Sequence, residues 1–232
     1  MSATVQAPEM SEMRKAILAI VKRRGAASIT ELADELDVSY EAIRQQITQL
    51  HREGWLGKQI DRARSRVGRP QARYRLTPAG DHLFPKHYDA LTVELLDAVG
   101  DKFGREGVAA VLADLADARV REWAPRVEGL DLEKRLRALR GIYLDGDPFV
   151  SVERDEAGLR LVERNCPFLN VAAKRPVLCS LTVSVLTRLL GHRVVREERF
   201  QEGDGCCAFR VLEDQPVDPE TYRFELEPAL GA

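Results

Sequence analysis

A short helix that must start at Ser28 and stop before Ser39 constrains this chain more than any other stretch. In Ser28-Ile29-Thr30-Glu31 a serine precedes a glutamate by three positions, the spacing at which each side chain takes up a backbone amide at a helix start. The helix so opened carries Leu32, Ala33 and Leu36, and Asp37-Val38-Ser39 leaves room only for a tight connection. Ser39 caps the next helix, predicted over Tyr40–Glu53, whose apolar line is Ile43, Ile47 and Leu50. Upstream, Met13, Ile17, Ile20 and Val21 mark an amphipathic helix over residues 11–24, ended by Gly25. Helix, short helix, three-residue turn and longer helix make the helix-turn-helix pattern, in which the last helix enters the major groove of DNA. Ser39 and Tyr40 at its start, and Arg44 and Gln45 off its apolar line, are the candidate contacts.

A plain three-helix bundle has the same periodicity, and the next stretch separates the two. Gly54-Trp55-Leu56 ends the helix and opens an extended segment to Ile60, while Tyr74-Arg75-Leu76 returns as a strand. From Lys58 to Arg75 the chain has Lys58, Arg62, Arg64, Arg66, Arg69, Arg73 and Arg75 against the single acid Asp61. Two short strands around an Arg-rich loop containing Gly68 describe a wing, whose arginines neutralise phosphates and enter a narrow minor groove. Arg62, Arg64, Arg66 and Arg69 are the expected contacts there. The charge balance agrees: residues 1–90 hold 15 Lys/Arg against 11 Asp/Glu, whereas the remainder holds 20 against 26.

Beyond Thr77-Pro78, a cap followed by proline at the first helical position, two apolar lines run along predicted helices. They are Leu91, Leu95, Val99 and Phe103, then Val108, Val111, Leu112, Leu115 and Val120. A face this apolar either packs within one chain or forms a two-fold seam between chains; the seam would match palindromic DNA, so a homodimer is the favoured expectation. Leu132, Leu136 and Leu139 mark a further helix. Residues 149–162 then alternate around Asp155-Glu156-Ala157-Gly158 as a hairpin. A helix over Leu178–Leu190 and a second hairpin, Val194–Phe200 with Cys206–Val211, complete an α+β part.

All four cysteines, Cys166, Cys179, Cys206 and Cys207, fall in that last part. No apolar run approaches the roughly 20 residues of a spanning helix, and Met1–Met10 lacks the basic and apolar segments of a secretory signal. Thiols in a cytoplasmic chain point to metal or redox chemistry rather than to structural disulfides. Neither Cys-x-x-Cys nor a zinc-finger spacing is present, so only a folded domain can bring the thiols together. Buried, unliganded cysteines are the plain alternative. Ligation by such thiols suits an iron–sulfur cluster or zinc. Nothing resembles a Ser-His-Asp set or a phosphate loop, and His51, His82, His87 and His192 are scattered, so no enzyme is expected.

Several segments are familiar. Gly68-Arg69-Pro70 leading to Tyr74-Arg75-Leu76-Thr77, Leu83-Phe84-Pro85 with Tyr88, Asn165-Cys166-Pro167, Leu190-Gly191 with Val194 and Arg196, and Gly203-Asp204 with Cys207 and Phe209 resemble the SufR-like iron–sulfur regulators. These are winged-helix repressors of the broad ArsR/DeoR type, and the resemblance covers roughly residues 11–212. In that family three cysteines with 12 and then 27 intervening residues bind the cluster, and Cys166, Cys179 and Cys207 reproduce both intervals. The resemblance implies a homodimer that represses iron–sulfur assembly genes from a double-stranded DNA operator while its cluster is present. It also implies a 4Fe–4S cluster, with 2Fe–2S as the alternative. A glutamate frequent in related sequences is Thr182 here, and a fourth cysteine of some members is missing. His192 and Cys206 are therefore the candidates for a fourth ligand. Cys206 is disfavoured because neighbouring strand residues face opposite ways.

The expected architecture is thus α+β. A lead-in occupies 1–10, a winged helix-turn-helix 11–90, a helical dimerisation region 91–145, an iron–sulfur sensor domain 146–212 and a tail 213–232. The alternative function is a winged-helix regulator with structural zinc or a direct thiol redox switch.

Overall fold

The structure, a computed structural model, describes residues 10–61, 71–142 and 149–227. The chain divides into two compact units, Met1–Lys86 and His87–Ala232. It is α+β, with a helix-turn-helix first and a sheet domain last.

In the first unit α1 (Glu12–Arg24), α2 (Ile29–Leu36) and α3 (Tyr40–Arg52) form where the caps and apolar spacing demand. The Ser28 hydroxyl accepts from the Glu31 amide at 3.2 Å, and the Glu31 carboxylate accepts from the Ser28 amide at 2.8 Å. Asp37 then ends α2 with φ of 52°, a left-handed conformation that Asp tolerates better than most residues. That turn brings Ser39 into place, and its hydroxyl accepts from the Ala42 amide at 3.2 Å. Ile17, Leu32, Ile43, Ile47 and Leu50 interlock with Leu56 and Tyr74 in one buried core.

Strands β1 (Leu56–Asp61) and β2 (Gln71–Leu76) pair antiparallel from Leu56↔Leu76 to Asp61↔Gln71, making the wing. A bridge between Ala27 and Tyr74 ties the α1–α2 connection to this ribbon, a pairing too short for any periodicity to signal. Thr77 caps α4 (Pro78–Asp81), its hydroxyl accepting from the Gly80 amide at 3.0 Å. Gly80 lies so close to the end of α3 that a Cβ there would stand 2.1 Å from the Trp55 carbonyl oxygen.

The second unit opens with α5 (Tyr88–Val127), broken at Gly104, whose φ of 68° and ψ of −172° only glycine adopts readily. After the break Val108, Leu112 and Ala116 are buried, while Tyr88, Leu91, Leu95, Phe103, Val111 and Leu115 are exposed. Then follow α6 (Leu132–Ile142), β3 (Val150–Asp155), β4 (Gly158–Glu163) and α7 (Leu169–Ala172), the last without a signal in the sequence. A 3-10 turn over Pro176–Cys179 replaces the first turn of the helix expected from Leu178, so α8 is Ser180–Leu190. The chain continues through β5 (His192–Glu198), a 3-10 turn over Phe200–Glu202, and β6 (Cys207–Pro216).

The two hairpins of the sequence are one antiparallel sheet of order β3-β4-β6-β5, because β6 pairs with both β4 and β5. Leu159, Leu161 and Phe209 from the sheet pack with Leu136, Leu139, Leu181, Val185 and Leu189 from the helices. Ion pairs also join the strands: Arg160 bonds Glu153 on neighbouring β3, and Arg210 on β6 reaches across β4 to bond Asp155 on β3. β6 runs past residue 212, and the stretch expected as a tail is docked through residue 227. The Val217 amide donates to the Gly191 carbonyl at 2.8 Å, Phe224 packs on the core, and the Glu227 amide donates to the Ser180 hydroxyl at 2.8 Å. Among the described residues no helix is long and apolar enough to cross a membrane.

Candidate metal centre and nucleic-acid interface

One end of the four-stranded sheet gathers three thiols. β4 ends at Glu163 directly opposite Cys207, the first residue of β6. Cys166 lies three residues beyond Glu163, held where the chain turns at Pro167 into α7. Cys179 closes the 3-10 turn at the cap position of α8, where the positive end of a helix favours a thiolate. Sequence spacing alone could not bring these positions together; the antiparallel pairing of β4 with β6 brings the Cys166 segment to Cys207, and the 3-10 turn before α8 carries Cys179.

Burial raises every thiol above its ordinary value. Cys166 is pushed up to about 12, by burial first and then by the Glu163 carboxylate, with Cys207 and Cys179 adding to it. That mutual influence places Cys166 within electrostatic reach of both partners. Cys179 and Cys207 are raised by burial and held back by the Arg196 guanidinium. The Gln201 amide donates to Cys179 Sγ at 3.4 Å, and Arg196 Nη1 lies 4.0 Å from Cys207 Sγ.

Arg196 and Glu163, like Gln201 and Glu227, are site residues to which sequence reasoning assigns no role. The Arg196 side chain is 1% exposed and pairs with Glu227, Nη2 to Oε2 at 2.9 Å and Nε to Oε1 at 3.2 Å. A full charge in that position opposes the cost of ionising the neighbouring thiols. In the sequence Arg196 stands out as a cation two residues after Val194 on an apolar strand and as one of the residues carrying the resemblance, with no role attached. Glu163, 1% exposed, ends a strand, and nothing local distinguishes it from a solvated acid.

The two candidates for a fourth ligand lie elsewhere. His192 starts β5 opposite Pro216, with Nδ1 3.2 Å from the Leu190 carbonyl oxygen, at the end of the sheet away from Cys207. Cys206 donates to Glu198 Oε2 at 2.9 Å and packs with Val162 and Ala208, apart from the main core that holds Cys207. Its thiol is pushed up to about 11 by burial and that carboxylate. Among the described residues, no three His, Cys, Asp or Glu side chains stand at metal-binding spacing. The donor chemistry fits a thiophilic group: three thiols share one end of the sheet, and a buried cation beside Cys179 and Cys207 matches the negative charge such a group brings with its thiolates.

The first unit presents a different surface. Ser39, Tyr40, Arg44 and Gln45 are all exposed on the first two turns of α3 or at its cap. Arg44 is held by Glu41, Nε to Oε2 at 2.8 Å and Nη2 to Oε1 at 2.6 Å. Of the basic residues counted towards the wing, Lys58 and Arg75 are exposed. Arg73 instead bonds Glu31 at 2.9 Å and the Ala26 carbonyl at 2.8 Å, and so braces α2 against β2. Arg62, Arg64, Arg66 and Arg69 lie outside the described residues.

Residues 14–68 match the family described as HTH domain, a module that binds DNA rather than catalysing a reaction. No curated protein matches the sequence. Among solved structures, the adhesin competence repressor AdcR of Streptococcus pyogenes is 20% identical over 52% of this chain and 84% of its own, with a TM-score of 0.28. Lactococcus lactis ZitR in complex with DNA is 15% identical over 53% and 82%, with a TM-score of 0.30. Bacillus subtilis PadR in complex with operator DNA is 14% identical over 77% and 99%, with a TM-score of 0.28. At these TM-scores none of the three bears on what the present chain does. What the chain shares with a known family is a helix-turn-helix domain, of the kind transcriptional regulators carry, at its N-terminus.

Proposed function

We propose that the protein is a homodimeric winged-helix transcriptional repressor whose DNA binding is controlled by an iron–sulfur cluster, and that it acts on iron–sulfur assembly genes. The observation that carries this reading is that Cys179 and Cys207 flank buried Arg196, with Cys166 within electrostatic reach of both thiols, in a chain whose other unit is a winged helix-turn-helix. These three thiols would hold the cluster, 4Fe–4S rather than 2Fe–2S, and the bound cluster supplies one-electron chemistry and lability to oxidants. Arg196 offsets thiolate charge, Gln201 fixes Cys179 by its amide, and the Phe168 amide donates to Cys166. The exposed Tyr88, Leu91, Leu95, Phe103, Val111 and Leu115 of α5 supply the apolar face for a second copy. α3 and the wing contact a double-stranded operator, with Arg62, Arg64, Arg66 and Arg69 on phosphates and in the minor groove.

The test is anaerobic purification followed by iron and acid-labile sulfide analysis and a visible spectrum. The reading expects a brown protein with iron and sulfide in matched amounts, bleached in Cys166→Ser, Cys179→Ser and Cys207→Ser and retained in Cys206→Ser. A colourless protein with zinc at these cysteines would replace the cluster by a structural metal. A metal-free protein with a reversible disulfide would replace it by a thiol switch.

A further inference from the structure

The exposed face of α3 holds an arrangement that base recognition alone does not require. Glu41 and Arg44 are one turn apart, with side chains 56% and 54% exposed, and the carboxylate grips the guanidinium side-on through Nε and Nη2. The hydrogen bond from Arg44 is the main cause holding the Glu41 carboxyl below its ordinary value, so Glu41 is ionised at neutral pH. An exposed pair at this spacing adds little to stability. It also sets a negative charge on the face that must approach a polyanion, which weakens binding to any DNA.

The geometry points to Glu41 as a positioning residue that sets the base preference of Arg44. This rests on the DNA-binding reading given above. A guanidinium has five N–H donors in a rigid fork. Two of them are spent on Glu41, and among the described residues Arg44 has no other side-chain partner. The edge left open is the end-on pair formed by Nη1 and the outer N–H of Nη2. That edge matches O6 and N7 of guanine, the bidentate major-groove contact of arginine. A free arginine samples many rotamers and also reaches phosphates at random. One clamped by Glu41 has paid much of its ordering cost beforehand and offers its fork in a single direction. The acid thus lowers affinity for DNA in general while raising selectivity for a G·C pair at the Arg44 position. Thr48 supports the same turn, its hydroxyl donating to the Arg44 carbonyl at 2.7 Å.

The two effects have opposite signs, which a merely structural role for Glu41 would not produce. The probe is a duplex library randomised over the binding region. The wild-type full-length protein selects its preferred duplex, and the bound fraction is sequenced for wild type, Arg44→Ala, Glu41→Ala and Glu41→Gln. Each protein is then titrated on the selected duplex, on its versions altered at the Arg44-dependent base pair, and on a random duplex. Arg44→Ala should lose about tenfold or more of guanine discrimination at one base pair. Glu41→Ala should lose about threefold to tenfold of it, the share set by ordering one long side chain, while binding the random duplex more tightly than wild type. Glu41→Gln, which keeps an acceptor and the helix but not the charge, should fall between. If Arg44→Ala broadens the selected base and neither Glu41 variant does, the inference is overturned and DNA binding stands. It is equally overturned if Glu41→Ala weakens every duplex alike, which is the mark of a damaged helix. If the wild type enriches no sequence, the DNA reading itself fails, and this inference with it.

Discussion

Replacing Glu227 by leucine removes the charge partner of Arg196 and leaves a guanidinium buried at the cysteine end of the sheet. The Arg196 side chain is 1% exposed and that of Glu227 12%, and two contacts of 2.9 and 3.2 Å join them. Breaking such a pair from one side costs about 3–5 kcal/mol, because the remaining charge stays out of water without compensation. Arg196 keeps a contact of 3.3 Å to Gln201 and Glu227 is not wholly enclosed, so the lower end, about 3 kcal/mol, is expected. Arg196→Met should cost a similar amount, since the nearest remaining cation to Glu227 is Arg199 at 4.0 Å. The double replacement exchanges a buried pair for apolar groups of similar size and should cost no more than about 1 kcal/mol. Of the two tryptophans, Trp55 belongs to the first unit and Trp123 packs on the core of the second. In a Trp55→Phe background, Trp123 fluorescence therefore follows the second unit alone during urea unfolding. At a slope of about 2 kcal/mol per molar urea, each single variant should lower the midpoint by about 1.5 M. Single variants within about 0.3 M of the parent, or a double variant as unstable as the two losses added together, would refute this account of the pair.

Three further outcomes follow from particular contacts. Gly80→Ala places a Cβ 2.1 Å from the Trp55 carbonyl oxygen, a backbone atom fixed by its bond from the Thr77 amide. It should destabilise the first unit by about 1–3 kcal/mol, read from Trp55 fluorescence in urea. Ser28→Ala removes one arm of the capping box and should cost the same unit about 1 kcal/mol by the same measurement. The Arg210 guanidinium holds the Asp155 carboxyl down to about 2 from 3.8. The stabilisation is therefore present above about pH 4 and lost as pH falls towards 2, and Asp155→Asn should flatten that limb of an acid titration of stability.

The first unit was legible because its signals are local. The capping box at Ser28, the cap at Ser39 and the line Ile43, Ile47 and Leu50 each lie within one turn or one helix, and the structure realises all of them. The wing was legible from two short strands around an Arg-rich loop, although Arg73 turned out to brace α2 instead of pointing to a ligand. In the second unit both hairpins were legible from alternation, but their union into one sheet was not, because the β4–β6 pairing joins residues far apart in sequence. The same non-local pairing explains the site. Cysteine positions are visible in the sequence, whereas the cation beside them comes from β5 and its partner Glu227 from beyond β6. His192 was a candidate because it lies in the stretch where some members of the resembled family have a fourth cysteine, and the strand that begins there places it at the far end of the sheet.

The central claim, that the cysteine site controls DNA binding, is tested most directly by one anaerobic titration. A labelled duplex selected by the wild-type protein is titrated with the protein as isolated and again after its iron has been removed by chelation, with Cys179→Ser as the control. The account predicts that the loaded protein binds more tightly by about fivefold to a hundredfold, the usual range of coupling between two sites. It also predicts that Cys179→Ser matches the stripped protein and does not respond to chelator. Equal affinity of loaded and stripped protein for that duplex would contradict it.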